Sequence, residues 1–469
     1  MEKASIKSLL RPESIAVIGA SADEKKVGGR TILFNKQFGY AGKIIPINPG
    51  RSEIQGFKTY PSISEVPDEV DLALLAIPGA RVLETVEDCA AKGVKSLVIF
   101  SSGFRETGEA GREIQEKIKL IGQKHSMRIL GPNCIGFINV RDKVVGSFSG
   151  IMRMHFPLKG RVGLITQSGA VGAGLWDMGV DKGLGFSYWI STGNEADVNV
   201  AECVAFLAED EETEIIALQF EGTNSSEADL RAALELAFEK EKPVVVLRGS
   251  SSEYGVKAAA SHNGNPVVPD AVYDEMFKQT GAYRVHGLQD FFDVIYTMSQ
   301  VSMPKDKNTG VFSVSGGGGI LIADSLAKRN LVLPEPSSEA KRKMLELLPF
   351  SGVMNPVDVT TEIVGRPELL DQFLEICSED KMKLDMIVVF LTYECVVPAL
   401  AAPRLKTMKT FKEKYPHIPI MVVSRFDDNS RRAFVEAKIP IFEDPEGAVN
   451  SIAALAYFAE KYREKKTVQ

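Results

Sequence analysis

Residues 14–21 have the sequence SIAVIGAS, a short apolar run that ends in a glycine turn. Such a run predicts a buried strand of a parallel sheet, because both faces of that kind of strand are covered by helices. Gly19 supplies the backbone freedom that a tight turn after the strand requires. The stretch therefore predicts the first strand of an α/β domain with a ligand-binding turn at its carboxyl end.

The same pattern recurs through the N-terminal part of the chain. Further strands are predicted at residues 43–49, 71–78, 96–103 and 128–133, with helix-like segments between them, and each ends in Gly, Pro, Ser or Asn. Because the carboxyl ends of parallel strands meet at one edge of a sheet, these small residues predict a ligand site at that edge. We expect a Rossmann-like α/β domain over residues 1–140.

Two further sets of predicted strands follow, separated by looser segments. They indicate flavodoxin-like α/β domains at residues 158–302 and 308–469. In the last domain a strand that starts at residue 311 leads into four glycines, residues 316–319, which we predict to form a turn. This layout resembles the small-residue turn after residue 166, which suggests that the two domains are related. The predicted strands lie at 161–166, 188–192, 215–220, 243–248, 386–391 and 419–424, and a helix at 448–466.

One of the five histidines differs from the others in its surroundings. His262 follows the strand at 243–248 and lies among small residues, in the sequence AAASHNGN. No bulky neighbour would hold its imidazole in a core, so we predict an exposed loop. An exposed histidine there suits a nucleophile or a proton carrier. A plain polar loop between a strand and a helix is the alternative interpretation.

Glu221 directly follows the predicted strand at 215–220 and precedes a glycine. If its strand neighbours the strand that leads to His262, the two side chains meet at the carboxyl edge of the sheet. A carboxylate there would orient the imidazole and favour its protonated or phosphorylated form. The alternative is an ordinary exposed glutamate at a strand end.

Composition narrows the class of protein. At 469 residues the chain has room for about three domains, and its net charge of −7 argues against nucleic acid as a partner. The first residues lack the apolar core of a signal peptide, and no apolar run is long enough to cross a membrane. The five cysteines form no CxxC pair and no metal-ligand spacing. We expect a cytoplasmic protein with free thiols, no metal site and no membrane contact.

A nicotinamide dehydrogenase is one possible function for a chain that begins with such a domain, but two details disagree. The first turn is Gly19-Ala20-Ser21 rather than a full GxGxxG motif. The second strand ends in Asn48-Pro49, where an NAD site usually has an acidic residue for the ribose. A nucleotide without that ribose contact fits better.

Several short motifs occur along nearly the whole chain, each of them weak alone. They are AVIGAS at 16–21, INP at 47–49, GPNCIG at 131–136, QSGA at 167–170, GNEAD at 193–197, SHNG at 261–264 and NPVD at 355–358. Their order resembles the alpha subunit of ADP-forming (NDP-forming) acyl-CoA synthetases, relatives of succinyl-CoA synthetase. The resemblance implies a CoA-binding Rossmann-like domain followed by two flavodoxin-like ligase domains.

The resemblance also implies a reaction. Such enzymes interconvert acyl-CoA, phosphate and ADP with a carboxylic acid, CoA and ATP, through acyl phosphate and phosphohistidine. His262 matches the family's phosphorylated histidine and Glu221 its supporting glutamate. The residues expected to bind CoA are Gly19, Ala20, Ser21, Asn48, Pro49, Ile77, Pro78, Ser101, Ser102, Gly103, Asn133 and Cys134. Those expected to hold phosphate are Gln167, Ser168, Gly169, Ala170, Gly193 and Asn194.

Two features depart from the pattern of that family, the second of them only from its fused members. The usual His-Thr-Gly reads His262-Asn263-Gly264, and a proline-rich stretch follows at 265–269. Asparagine keeps a hydrogen-bonding side chain, so we expect activity to survive, while the prolines stiffen the loop. An ATP-grasp module is missing, so we expect a separate beta subunit that binds ADP or ATP with Mg²⁺, in an α2β2 assembly.

A second interpretation of the sequence assigns the chain to a different class of protein. A protein of the same fold could bind CoA and regulate without catalysis, but His262 and Glu221 together count against it. The sequence does not identify the carboxylic acid, and the preference for ADP or GDP depends on the partner.

Overall fold

The computed structural model describes residues 5–262 and 269–468. The chain forms two compact units, Met1–His286 and Gly287–Gln469. The described residues of the first unit contain two large sheets, and those of the second unit contain one. Most of the proline-rich stretch after His262, residues 263–268, lies outside the described residues.

The first sheet confirms the Rossmann-like prediction. Its five parallel strands lie in the order β2-β1-β5-β6-β7, and β3 and β4 form a small antiparallel ribbon. All five strands predicted here are present, and each is shorter than its apolar run because the last residues form the turn. The elements are α1 (Lys7–Leu10), β1 (Ser14–Ile18), α2 (Val27–Phe38), β2 (Lys43–Ile47), β3 (Glu53–Ile54), β4 (Phe57–Lys58), β5 (Leu72–Leu75), α3 (Val82–Lys92), β6 (Ser96–Ile99), α4 (Glu109–His125) and β7 (Arg128–Leu130).

Gly19 shows why the first turn needs glycine. Its φ is +85°, and a Cβ atom built on it would lie 2.3 Å from the carbonyl oxygen of Ala76. Ala76 follows β5, the strand beside β1, so the turn after β1 lies directly against the turn after β5. This is the point where the strand order reverses, and such a point is where open α/β sheets bind ligands.

The second sheet has seven strands in the order β14-β13-β12-β10-β11-β8-β9. Strands β10 to β14 are parallel, whereas β8 and β9 form a hairpin that pairs antiparallel with β11. The sequence did not predict this hairpin or β14, because their apolar runs are too short to stand out. The elements are β8 (Gly136–Asn139), β9 (Val144–Ser147), β10 (Lys159–Thr166), α5 (Gly169–Asp181), β11 (Phe186–Ser191), α6 (Val200–Glu209), β12 (Ile215–Phe220), α7 (Glu227–Glu239), β13 (Val244–Arg248), α8 (Glu253–His262), α9 (Asp270–Thr280) and β14 (Tyr283–Val285).

A buried ion pair joins the two sheets of the first unit. Arg128, the first residue of β7, donates from Nε to Asp197 Oδ2 at 2.8 Å and from Nη2 to Glu202 Oε1 at 2.7 Å. The side chains of Arg128 and Asp197 are only 5% and 9% exposed. Asp197 Oδ2 also accepts the backbone N–H of Ile129 at 2.9 Å. These contacts fix β7 against the segment that precedes α6.

The sheet of the second unit has the order β16-β15-β17-β18-β19, all parallel. Counted along the parallel strands, all three large sheets follow the order 2-1-3-4-5, as in flavodoxin-like folds. The elements are α10 (Leu288–Gln300), β15 (Thr309–Ser313), α11 (Gly316–Ala327), α12 (Ser338–Leu347), β16 (Val357–Asp358), α13 (Glu368–Glu379), β17 (Met386–Phe390), α14 (Pro398–Lys414), β18 (Ile420–Val423), α15 (Asp428–Glu436), β19 (Ile441–Phe442) and α16 (Pro445–Val468).

Two details of the second unit differ from the sequence predictions. The four glycines at 316–319 form the first turn of α11, because Ser315 caps the helix and accepts the N–H of Gly318 at 3.4 Å. Helix α10, which the sequence places in the domain at 158–302, belongs to this unit. Asn450 of α16 donates to Asp290 of α10 at 2.7 Å.

The five cysteines are free thiols buried in the two units. Burial raises the pKa of the thiols of Cys89, Cys134 and Cys377 to about 12 and that of Cys395 to about 11, and it raises the pKa of Cys203 as well. In the described part of the chain, no helix is long and apolar enough to cross a membrane.

Candidate active site

His262 is the last residue of helix α8, not part of a loop as the sequence predicted. The alanines before it are strong helix formers, which explains why the helix continues up to the histidine. Its side chain is 55% exposed, so the imidazole is open to reactants.

Glu221 is in contact with His262. It follows β12, and its Oε2 lies 2.9 Å from Nδ1 of His262. The contact arises because β12 pairs with β13, the strand that leads to α8. Since an ionised carboxylate only accepts hydrogen bonds, Nδ1 carries the hydrogen and donates it, which leaves the lone pair on Nε2. An imidazole held in this way can act chemically as a nucleophile through Nε2.

Two buried arginines hold the chain on both sides of α8. The side chain of Arg248, at the end of β13, is fully buried and pairs with the carboxylate of Asp270 at the start of α9. Nη1 of Arg284 lies 2.9 Å from Oδ2 of the same carboxylate. The ion pairs therefore anchor the segment that carries His262 at its two ends.

Replacing Asp270 by alanine removes the carboxylate that both arginines share. We expect the free energy of unfolding to fall by about 2–3 kcal/mol, less than for a fully buried pair because the Asp270 side chain is 29% exposed. Urea unfolding measures this loss. The matched control is Asp274→Ala, which removes a more exposed contact of Arg284 and should cost less than about 1 kcal/mol. Equal losses in both variants would contradict the shared anchor.

Gln167 holds the backbone of the turn that carries Glu221. Its Oε1 accepts the N–H of Glu221 at 2.8 Å and that of Gly222 at 3.4 Å. Its Nε2 donates to Glu195 Oε1 at 2.9 Å and to the carbonyl of Gly222, and its own backbone N–H donates to Gln219. All three N–H groups of Gln167 are thus engaged, so the structure gives this residue contacts other than the phosphate contact that the sequence predicted.

Glu195 lies behind Gln167, fully buried in the turn after β11. Its Oε1 also accepts the hydroxyl of Thr192 at 3.2 Å. Its Oε2 accepts the hydroxyl of Thr223 at 2.7 Å and the backbone N–H of Asn224 at 2.9 Å. Burial raises the pKa of the Glu195 carboxyl, while these hydrogen bonds oppose the rise.

Asn194 joins the second sheet to the first. Its side chain is fully buried and donates to Glu106 Oε2 at 2.6 Å and to Gln115 Oε1 at 3.2 Å. Asn133, after β7, donates to the Asn194 carboxamide oxygen at 3.2 Å. Gly193 is close-packed against the same turn, since a Cβ atom there would lie 2.5 Å from the carbonyl oxygen of Pro132. The structure thus places Gly193 and Asn194 in a buried joint, and their predicted phosphate contact stays a prediction.

The amino end of α5 lies at the same sheet edge as Glu221. Ser168 caps this helix and accepts the N–H of Val171 at 3.4 Å, while Gly169 and Ala170 form its first turn. The backbone N–H groups of a first helical turn have no partner within the helix. Because α5 follows β10 and Glu221 follows β12, the adjacent strand, both lie where the order of the second sheet reverses. This edge can hold an anion beside the histidine.

The residues predicted to bind CoA all lie in the turns at the carboxyl edge of the first sheet. Asn48 donates to the carbonyl of Ala20 at 2.8 Å, Ser101 donates to that of Ile77, and the N–H of Asn133 donates to Ser101 at 2.9 Å. The turns are therefore tied to one another. The thiol of Cys134 is buried, so only its backbone could meet a ligand. Residues 5–262 and 269–468 contain no cluster of three His, Cys, Asp or Glu side chains suited to a metal ion.

The sequence did not predict most of the polar residues that connect the first sheet with the second. Arg105, Glu106 and Gln115 lie after β6 and on α4, where no motif distinguishes them. Arg105 Nη1 donates to the side chain of Asn224 at 2.9 Å. Glu195 carried a signal because it lies inside the GNEAD motif, but its role depends on partners distant in sequence.

Comparison with known proteins agrees with the fold. Residues 13–140 match a family model described as a CoA binding domain, and residues 159–298 match one described as a succinyl-CoA ligase like flavodoxin domain. The alpha subunit of acetate–CoA ligase (ADP-forming) II from Pyrococcus furiosus is 32% identical over 95% of this chain and 95% of its own length. A trans-feruloyl-CoA synthase from an unknown prokaryotic organism is also 32% identical, over 97% of this chain but 65% of its own length.

A solved structure extends the similarity to the backbone. The dinucleotide-forming acetyl-coenzyme A synthetase 1 of Candidatus Korarchaeum cryptofilum, in complex with phosphate and ADP, has a TM-score of 0.88 to this chain at 28% identity. The match covers 99% of each chain. The chain therefore belongs to the family of ADP-forming acid–CoA ligases, in which it corresponds to an alpha subunit. It is an enzyme of the acid–thiol ligase class.

Proposed function

We propose that this alpha subunit moves a phosphoryl group from acyl phosphate to His262 and then to a nucleoside diphosphate. In the first step an oxygen of phosphate attacks the thioester carbonyl of acyl-CoA, the carbon–sulfur bond breaks, and CoA leaves as its thiol. In the second step Nε2 of His262 attacks the phosphorus and the carboxylate leaves. In the third step an oxygen of ADP attacks the phosphorus, and the phosphorus–nitrogen bond breaks to give ATP.

The observation that carries the proposal is the contact between His262 Nδ1 and Glu221 Oε2 at 2.9 Å. It keeps the hydrogen on Nδ1 and leaves the exposed Nε2 free to attack. Phosphorylated at Nε2, the ring carries a positive charge, which the Glu221 carboxylate stabilises at close range. The amino end of α5, formed by Ser168, Gly169 and Ala170, is proposed to supply backbone N–H groups that bind the phosphoryl oxygens during transfer.

CoA is the substrate that the first sheet is proposed to bind. The turn at Gly19, Ala20 and Ser21 would hold its diphosphate, since a turn at the reversal of strand order suits phosphate groups. The acyl end would approach the turn after β7, near Asn133. The joint around Asn194 connects that turn with the second sheet, so the thioester and the histidine can share one edge of the first unit.

The nucleotide is proposed to bind on a partner. The relative from Pyrococcus furiosus is named as an alpha subunit, and that name supports a partner subunit. The partner is proposed to be a beta subunit with an ATP-grasp module, where ADP or ATP and Mg²⁺ would bind. We propose an α2β2 assembly for the pair.

The acid is proposed to be a small-molecule carboxylic acid, within a range that includes acetate and bulky aromatic acids. Two relatives with the same 32% identity carry the names of acetate and of feruloyl-CoA, so overall identity does not distinguish between a small and a bulky acid. A panel of acids, assayed with the reconstituted pair of subunits, would measure the preference directly.

The half-reaction tests the proposal without the partner. The purified chain is incubated with a panel of acyl phosphates, or with acyl-CoA and phosphate, and its intact mass is measured. We expect an acid-labile gain of one phosphoryl group at His262, which ADP, Mg²⁺ and the beta subunit then remove as ATP. If CoA binds but no acyl compound phosphorylates the chain, with or without the partner, transfer of the phosphoryl group through His262 is refuted.

Replacing Gly19 by alanine tests the CoA turn. The new Cβ atom would meet the carbonyl oxygen of Ala76 at 2.3 Å, so the turn must move. We expect CoA affinity to fall about tenfold or more, as a backbone strain of 1–3 kcal/mol implies; isothermal titration calorimetry measures it. The matched control is Gly56→Ala, with a φ of +89° but open space around it. Equal loss of affinity in the control would contradict a role specific to the first turn.

A further inference from the structure

Glu195 is a buried carboxylate that the proposed reaction steps do not use. It is 1% exposed and adopts a φ of +55°, which is uncommon for a residue with a side chain. A buried charge and a left-handed backbone both cost free energy, so they persist where the surroundings fix them firmly.

All the donors named above for Glu195 are neutral groups. The hydroxyls of Thr192 and Thr223, the N–H of Asn224 and the amide of Gln167 occupy both of its oxygens. Hydrogen bonds from several donors stabilise an ionised carboxylate in a buried site. The carboxylate thus acts as a fixed acceptor at the centre of this group.

A fixed acceptor helps to determine which way the Gln167 carboxamide points, together with the carbonyl of Gly222, to which Nε2 also donates. Because an ionised carboxylate cannot donate, Nε2 of Gln167 must face Glu195, and Oε1 must face the opposite way. In that orientation Oε1 accepts the N–H of Glu221 at 2.8 Å. Reversal of the amide would place its NH₂ group against that backbone N–H and break the contact.

We propose that Glu195 is a positioning residue for phosphoryl transfer, holding the Glu221 turn through Gln167 so that Glu221 stays in contact with His262. The role rests on the proposed function above. Glu195 touches no reacting atom, and its effect reaches the imidazole through two successive side chains. It should therefore change the rate of the transfer step more than the binding of reactants.

Single-turnover phosphorylation of the full chain tests the role, with whichever acyl phosphate of the panel reacts fastest with wild type. In Glu195→Gln, an amide NH₂ group must face either the N–H of Asn224 or the amide of Gln167. We expect the maximal rate to fall about tenfold to a hundredfold, the value of one hydrogen bond to a charged group. The acyl phosphate concentration for half-maximal rate should change by less than about twofold, because binding contacts remain.

Two further variants separate positioning from loss of fold. Asp210→Asn changes another buried carboxylate of the first unit, which pairs with Arg11 and lies before β12, at the opposite edge of the sheet. It should lower the unfolding temperature and leave the phosphorylation rate unchanged. Thr223→Val removes one donor to Glu195 without touching Gln167, and it should slow the transfer step in the same direction as Glu195→Gln but less.

The double variant Glu195→Gln/Gln167→Leu gives the sharpest outcome. If Glu195 acts through Gln167, the double variant should be no slower than the slower single variant. Additive effects, or a rate in Glu195→Gln within about twofold of wild type, would overturn the positioning role. If wild type itself gains no phosphoryl group, the proposed function fails and this role falls with it. Phosphorylated wild type with an unaffected Glu195→Gln variant refutes only the positioning role.

Discussion

Replacing His262 by asparagine is expected to abolish phosphorylation of the chain while leaving CoA binding intact. Asparagine keeps a polar side chain of moderate size, but its amide nitrogen has no lone pair available to attack phosphorus. Because the side chain is 55% exposed at the end of α8, its loss should leave the unfolding free energy nearly unchanged. Intact-mass measurement after incubation with acyl phosphate reads out the first effect, and calorimetric titration with CoA reads out the second.

The matched control for this variant is His125→Asn. His125 is also exposed and is also the last residue of a helix, α4, so the change tests the same local structure. The control should be phosphorylated at the wild-type rate. If the His262 variant still gains a phosphoryl group, another residue is the nucleophile. Nitrogen NMR spectroscopy of phosphorylated wild type should show that the phosphorus is bonded to Nε2, because Nδ1 donates its hydrogen to Glu221.

Replacing Glu221 by glutamine is expected to slow phosphorylation of His262 by about 10²-fold, the scale of removing one preorganised electrostatic contact. Glutamine is nearly the same size and can still accept from Nδ1 through its oxygen. It carries no charge, however, so it stabilises the positive ring of phosphohistidine far less. We expect the phosphorylated form to be both slower to appear and less populated at equilibrium with acyl phosphate.

Glu214→Gln is the control for the charge change. Glu214 lies just before the other end of the same strand, β12, where it pairs with Arg161 and its side chain is 60% exposed. This variant should match wild type in rate and in the final extent of phosphorylation. An equal effect in both variants would mean that net charge, rather than the contact with His262, governs the transfer.

The sequence predicted the sheets well because their signal is local. Apolar runs that end in small residues identified β1, β5, β10 and β12 correctly. A buried parallel strand is covered on both faces, so its residues form such an apolar run. The contact between Glu221 and His262 was predicted on the condition that their two strands are neighbours, and β12 does pair with β13. The hairpin of β8 and β9 was missed because its apolar runs are short and interrupted by asparagine or glycine, and because β8 pairs with β11, which is distant in sequence.

The interior of the site was harder to predict, for a physical reason. Gln167 lies in a motif that predicted an anion site. In the structure its side-chain amide forms hydrogen bonds with the backbone of Glu221 and with the carboxylate of Glu195. The direction of a side chain depends on partners such as Thr223, which lies far along the chain and is brought near only by the fold. Likewise, the small residues before His262 suggested a loop, but alanine is a strong helix former and the helix continues up to the histidine.

Because every cysteine thiol is buried, alkylation of the thiols reports the opening of each unit. Cys89, Cys134 and Cys203 lie in the first unit, and Cys377 and Cys395 in the second. A thiol that is buried and held protonated by its surroundings reacts slowly with alkylating reagents, so each cysteine is labelled when its own unit opens. Pulse alkylation at rising urea would therefore show adducts in steps of three and two if the units open separately, and of five if they open together.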